Sequence, residues 1–217
     1  AQMAWVAGLV VPAAIRAALI PALGAVRDST EAMAATMRDA EAWIAPLVPV
    51  GLLAGAWVVP VLLNGVFPDS YTSGVLGADA GHLFLILLPG WGLAMIATPS
   101  LAGVQAGLNP WRYAGHAAAG FAFAVVAGWV LVPANGPLGA AWAALSVCAM
   151  LSALALVLRP SRRHFNKGAW AVVALGCGLV PWLWQHAWWA SAGVAVVLSG
   201  LAMVIGSRDR TRVIEAE

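Results

Sequence analysis

Apolar residues in this chain come in long unbroken runs, not in the alternation of a half-buried strand or the narrow stripe of a soluble helix. A helix that crosses a bilayer needs about 20 predominantly apolar residues. Seven windows meet that requirement, near residues 4–26, 43–63, 81–103, 114–132, 138–158, 168–185 and 187–206. The fold expected is therefore an all-α membrane protein, a bundle of about seven transmembrane helices, with residues 1–217 forming a single domain. Only Gln185 and His186 separate the last two windows, which predicts a tight helical hairpin. Trp182, Trp184, Trp188 and Trp189 gather at its bend, as in an interfacial aromatic belt.

The polar segments between the windows divide into two kinds. Residues 27–42 carry Arg27, Asp28, Glu31, Arg38, Asp39 and Glu41. Asp28 followed by Glu31 has the spacing of a capping box, so a helix is expected to start there and run into the second window. Met33, Met37, Ala40 and Ile44 recur at helical spacing. They fit either a partner-binding stripe or, more ordinarily, an interfacial face leading into a membrane helix. Residues 64–80 read as a Gly/Asp/Ser/Pro loop, 133–137 as a short turn, and 159–167 as a basic loop with Arg159, Arg162, Arg163, His164 and Lys167.

Charge gives these segments an orientation. Lys and Arg number two in 27–42, one in 104–113, four in 159–167 and three in the tail from Arg208, whereas 64–80, 133–137 and 185–186 hold none. Positive residues remain on the cytoplasmic side, so the expected location is the cytoplasmic membrane, multi-pass, with the C-terminus cytoplasmic and the first window entering from outside. A span that begins outside with no leader, in a chain starting at Ala1, suggests a fragment of a longer protein. Composition agrees with a membrane protein: 62% of residues are hydrophobic, 9% are charged, and the mean hydropathy is +0.87. Soluble proteins carry about a quarter charged residues. A net charge of +2 with no basic stripe gives no sign of nucleic-acid binding.

Candidate chemistry is sparse. Arg16 lies inside the first window, where a charge is costly. It is expected either to face the bundle interior, where its planar fork suits a phosphate, or to snorkel to the interface. Asp69 and Asp79 lie in the loop before the third window and read as solvated. His82 and His116 stand at window ends as interfacial polar residues, and Gln105 and Asn109 read as capping residues. Cys148 and Cys177 read as small buried hydrophobes. No residue set has metal-ligand spacing, so no cofactor, metal or catalytic constellation is expected. Gly51/Gly55, Gly103/Gly107 and Gly139/Ala143 form small-xxx-small pairs that let backbones approach in lipid. Pro46, Pro49, Pro60, Pro89 and Pro99 are expected to bend or start helices.

The order of these features resembles the C-terminal half of a lipid-linked oligosaccharide flippase, of the polysaccharide-transporter branch of the superfamily that also holds multidrug exporters. The resemblance rests on Ile20-Pro21-Ala22-Leu23 followed by a short charged helix, on Val59-Pro60 through Asn64-Gly65, and on Leu87-Leu88-Pro89 to Pro99 and Gly107. It is closest at Val132-Pro133, Gly136 and Leu138-Gly139-Ala140-Ala141-Trp142-Ala143. It implies one lobe of a two-lobed transporter, helices eight to fourteen of fourteen. Such a lobe works by alternating access on an undecaprenyl-diphosphate-linked saccharide, with Arg16 meeting the diphosphate and the N-terminal lobe as partner. The chain is then a non-enzyme that contacts bilayer, lipid-linked saccharide and its missing lobe. Alternatives are a multidrug or cation antiporter of the same fold, which would be expected to use acidic groups within the spans, a membrane-embedded glycosyl- or acyltransferase using Asp69, Asp79 and His82, or a non-transporting scaffold.

Overall fold

The computed structural model describes residues 2–66, 79–107, 110–159 and 165–214, and all its regular elements are α-helices. They are α1 (Gln2–Ala25), α2 (Thr30–Ile44), α3 (Leu47–Val66), α4 (Ala80–Ala106), α5 (Pro110–Leu158), α6 (Lys167–His186) and α7 (Trp188–Ile214). Five stretches of the described residues are long and apolar enough to cross a membrane, and a shorter apolar helix covers Val10–Ala25. At 1.5 Å per residue, the 27 residues of α4 extend about 40 Å, enough for a hydrocarbon core of about 30 Å. The chain thus has the apolar helices of a multi-pass membrane protein.

The 49 residues of α5 do not form one rod. Gly136 interrupts the helix at φ 55° and ψ −133°, a conformation essentially restricted to glycine. Beyond it the chain reverses: Gly139 abuts the Leu131 carbonyl, Gly120 receives the Leu151 side chain, and His116 Nε2 lies 3.1 Å from the Leu151 carbonyl oxygen. Pairs 131/139, 120/151 and 116/151 share nearly one midpoint, so α5 is an antiparallel hairpin. The windows 114–132 and 138–158 are its two arms. The expected bend between the last two windows is also present. At Ala187 (φ −158°, ψ 86°) α6 ends and α7 turns back, Ser191 Oγ donates to the Val180 carbonyl at 2.9 Å, and Gly168 faces Ile205.

α4 is the centre of the bundle. It lies against α1, α2, α3, α5 and α6, whereas among the described residues α5 touches no helix but α4, and α1 touches only α4 and α2. Lipid tails are as apolar as leucine, so helices in a bilayer associate through close packing, not through hydrophobic transfer. The glycines of α4 meet that demand. Gly90 takes up Cys148 from α5, Gly92 takes up Cys177 from α6, and Gly103 takes up the Met37 sulfur from α2. The two cysteines therefore sit on opposite sides of α4 as free thiols, and Cys177 donates to the Pro89 carbonyl at 3.3 Å. Pro89 and Pro99 both lie within α4. Large apolar groups that are mostly exposed, among them Phe121 (73% exposed) and Trp129 (80%) of α5, face outward where a bilayer would solvate them.

Two details of the 27–42 segment differ from expectation. The cap of α2 is Ser29, whose hydroxyl accepts from Ala32 N at 3.2 Å, while Asp28 sits outside the helix in a solvent-facing contact with Arg27. Serine and aspartate are equivalent capping residues, and the sequence offered both. The methionine stripe is neither a partner surface nor an interfacial face. Met33 and Met37 are buried with Leu23 of α1 and Ala102 of α4, and Ile44 joins the main core. α2 gives way to α3 at Ala45-Pro46 with Ala45 still in helical conformation, and Met37 beside Gly103, Glu41 at Ser100 and Val48 beside Gly92 keep one antiparallel register along α4, so the helix that starts in this segment leads into the second window as expected.

That end also collects the positive residues. Leu23, Met37 and Ala102 register the ends of α1, α2 and α4 together, Gly206 of α7 meets Ala42, and Arg159 at the close of α5 reaches Glu41. Arg27, Arg38, Arg112, Arg159 and Lys167 thus share one end, termed the basic end, while the bends at Gly136 and Ala187 lie at the other. The α5 reversal yields a direct expectation. Gly136→Ala meets no steric obstacle, so its cost is the left-handed backbone alone, about 1–3 kcal/mol. Gly128→Ala, in open helical surroundings, is expected to be neutral or stabilising by up to about 1 kcal/mol. Thermal unfolding of the detergent-solubilised chain should separate the two variants; equal midpoints would mean that α5 does not reverse at Gly136.

Candidate functional site

The most highly built polar feature is one the sequence reading passed over. Glu41 is fully buried, and so is the Arg159 side chain. Arg159 Nη1 donates to Glu41 Oε1 at 2.9 Å, Ser100 Oγ donates to the same oxygen at 3.3 Å, and the Asn166 backbone N–H donates to Oε2 at 3.0 Å. Asn166 in turn caps α6, its side-chain oxygen accepting from Ala169 N at 2.9 Å. The Trp170 indole also acts on the carboxylate electrostatically, though its buried Nε1 makes no hydrogen bond of good geometry. One carboxylate therefore ties together α2, α4, the end of α5 and the start of α6.

Local sequence explains how each group arrives. Glu41 follows Met33 and Met37 at successive i+4 steps and precedes Ile44 by three, so it lies on the buried face of α2 although it is charged. Arg159 directly follows the apolar arm ending at Leu158, and its N–H still bonds the Ala155 carbonyl. It was counted among the topology-setting charges of a basic loop. Its side chain is instead buried in an ion pair, which removes it from the exposed positive charge of that end. Arg162, Arg163 and His164 lie outside the described residues. The signal in the sequence was the charge at position 41 within the 33/37/44 stripe. Ala40, one residue earlier, fits the same stripe and concealed it.

Arg16, the residue singled out from the sequence, stands apart from this knot. On α1, Val10, Val11, Ala13, Ala14, Ala17 and Ala18 are exposed, whereas Pro12, Ile15, Arg16, Leu19 and Ile20 are half-buried and Leu23 is buried. Arg16 thus belongs to the packed stripe and not to the outward face, and it makes no hydrogen bond or ion pair among the described residues. Elsewhere on the bundle α1, α3 and α4 border an apolar groove of about 360 Å³, lined by Val11, Leu47, Gly51, Leu88, Trp91 and Met95 among others, with Arg16 not among the lining residues. Arg16 lies five residues beyond Val11, about 7.5 Å toward the basic end and about 140° round the helix, so the two face different directions.

The remaining candidates are structural. Asp79 caps α4, its carboxylate accepting from Gly81 N at 3.0 Å, and His82 is exposed. His116 is buried and joins the arms of α5. Gln105 keeps a buried Oε1 without a hydrogen-bond partner. Asp69 and Asn109 fall outside the described residues, and no group of three or more His, Cys, Asp or Glu that could hold a metal occurs among those described. No family model, no curated protein and no solved structure matches this chain.

The knot gives a test of its own. Removing one member of a buried ion pair strands the other and costs about 3–5 kcal/mol. Glu41→Ala and Arg159→Met are each expected to lower the unfolding midpoint strongly, and the double variant to be more stable than the sum of the two losses requires. Ser100→Ala, which deletes one long hydrogen bond, should cost about 1 kcal/mol. A midpoint unmoved by Arg159→Met would show that the pair is solvated.

Proposed function

We propose that this chain is one lobe of a membrane transporter that moves a polyprenyl-diphosphate-linked saccharide across the cytoplasmic membrane by alternating access, with its basic end cytoplasmic. The observation that carries the reading is Arg16. A guanidinium on the packed stripe of an apolar helix, with no counter-charge among the described residues, is costly in a bilayer unless it serves a pathway or an anionic ligand, and its fork suits phosphate oxygens. The resemblance in segment order, with Pro-bent helices and a Gly/Ala-rich fourth-to-fifth helix junction, supports a transporter in preference to a scaffold. In this reading the bundle is a seven-helix lobe, and a second lobe closes the cavity.

The Glu41 knot has a place in this scheme as frame, not as machinery. It unites α2, α4, α5 and α6 at one end, so a rocking motion would carry them as a unit. An antiporter of the same fold would want an acidic group free to exchange its cation, whereas Glu41 is committed to Arg159, Ser100 and Asn166.

The test is complementation in cells deleted for their own flippase of an undecaprenyl-diphosphate-linked saccharide, with the chain expressed together with its natural flanking sequence. Surface polysaccharide is expected to return. Arg16→Gln should reduce it at least ten-fold at equal protein level, and Arg27→Gln, at an exposed contact with Asp28, should leave it within two-fold. Full export by the Arg16 variant would sink this role for Arg16, and no export by the parent protein would sink the transport reading.

A further inference from the structure

We infer that the outward face of the first arm of α5 is a lipid-contact surface, with Trp111 and Trp129 as the anchors that fix the depth of the bundle in a bilayer. The inference needs the apolar helices of a multi-pass membrane protein and not the transport reading. Trp111 is 82% exposed and Trp129 80%. They stand 18 residues apart on one stretch of helix, since the break in α5 comes later, at Gly136. That separation is five full turns and about 27 Å along the axis, so the two indoles leave the arm in the same direction near its opposite ends. Gly120 lies nine residues from each, two and a half turns, and it faces inward onto Leu151. The indoles therefore point away from the returning arm, and their spacing matches a hydrocarbon core of about 30 Å.

Three features select lipid over water or protein as the cover of this face. Ala114, Ala118, Phe121, Ala122 and Val125 are exposed between the indoles, and the single polar side chain of that stretch, His116, is buried against the returning arm. The face thus offers water nothing to bind. Helices associate in lipid through close backbone approach. The three alanines would permit it, but a helix laid along them meets an indole at each end. Tryptophan, by contrast, is enriched at both membrane–water interfaces, where its apolar ring and its N–H each find suitable surroundings. Other indoles fall at the same level. By the 120/151 pairing Trp142 stands opposite Trp129, and Trp182, Trp188 and Trp189 are exposed beside the bend at Ala187. The same pairing sets Arg159 opposite Arg112, next to Trp111, so the boundary on the basic side passes at the level of the Glu41 knot. A second lobe of the proposed transporter would then close on another side of the bundle.

The experiment carries a nitroxide along this face of the full chain in dioleoyl-phosphatidylcholine vesicles. Tyr113→Cys, Ala114→Cys, Ala118→Cys, Ala122→Cys, Val125→Cys and Val130→Cys are made one at a time in a Cys148→Ala/Cys177→Ala background. Collision of the label with oxygen, which concentrates in hydrocarbon, is compared with collision with a nickel chelate, which stays in water. The oxygen-to-nickel ratio is expected to be highest, and equal within two-fold, at Ala118 and Ala122, which flank the midpoint between the indoles. It should be at least five-fold lower at Tyr113 and Val130. Low collision with both reagents at Ala118 and Ala122 would mean that protein covers the face, and high nickel collision there would mean water. Either result overturns the proposal, as does a maximum displaced by more than one turn. The background substitutions change side chains packed at Gly90 and Gly92, so the unmodified chain is also labelled in the same vesicles with an aryl diazirine that partitions into hydrocarbon. Carbene insertion at Ala118, Phe121 and Ala122 is expected to exceed that at His116, Gly120 and Ala127 at least five-fold; equal yields at the two sets would overturn the proposal without recourse to any variant.

Discussion

One carboxylate holds the basic end of this molecule together. Burying Glu41 costs several kcal/mol of lost hydration, and the structure returns that cost only because three donors from three other segments converge on its two oxygens: Arg159, Ser100 and the Asn166 backbone. The convergence is geometrically demanding. It requires α2 to run antiparallel beside the last turns of α4, α5 to return to the end from which it left, and α6 to begin within reach. The hairpin at Gly136 and the cap at Asn166 are therefore conditions for the knot, and the knot makes alternative packings costly. Among the described residues α5 touches no helix but α4, and the reach of Arg159 to α2 adds a polar tie to the hairpin's returning arm.

Inside the bundle a different rule applies. Where the surroundings are hydrocarbon, a leucine gains nothing by moving from lipid to protein, and fit decides. α4 can receive neighbours on several sides because Gly90, Gly92 and Gly103 present bare backbone to Cys148, Cys177 and Met37. The sequence motif most suggestive of close approach, small-xxx-small, proves to be half used in two of three instances, Gly139/Ala143 having both members packed. Gly55 seats Leu88 while Gly51 faces open space, Gly103 seats Met37 while Gly107 ends the helix, and Gly139 abuts Leu131.

Much of this was legible beforehand. The apolar windows correspond to helices or hairpin arms because a bilayer-length apolar run has few alternatives, and the reversals at Gly136 and Ala187 were announced by Pro-Ala-Asn-Gly-Pro and by Gln-His between windows. Arg16 stood out as a charge in an apolar run, and its position on the packed stripe follows from helical period once neighbouring exposure is known. The knot was not legible. Glu41 and Arg159 are 118 residues apart, each sits in a segment already explained by topology-setting charge, and nothing local distinguishes a charge bound for burial from one bound for water. The choice of Ser29 over Asp28 as cap was likewise undecidable, since adjacent residues of equal capping strength differ only in the path of the preceding chain.

The distance in sequence between Glu41 and its partners also has a meaning in time. Ribosomes extend a chain by about 5–20 residues per second, so roughly 6–24 s separate the synthesis of Glu41 from that of Arg159, and Asn166 comes later still. Through that interval α2 exists with its acid exposed and its methionine face waiting for α4. An uncovered charge of this kind stays at the aqueous boundary and holds α2 back from the hydrocarbon while α3, α4 and both arms of α5 are threaded. Arg159 and Asn166 then close over the acid before α6 and α7 are made, so the placement of one later cation sets when this end can be sealed.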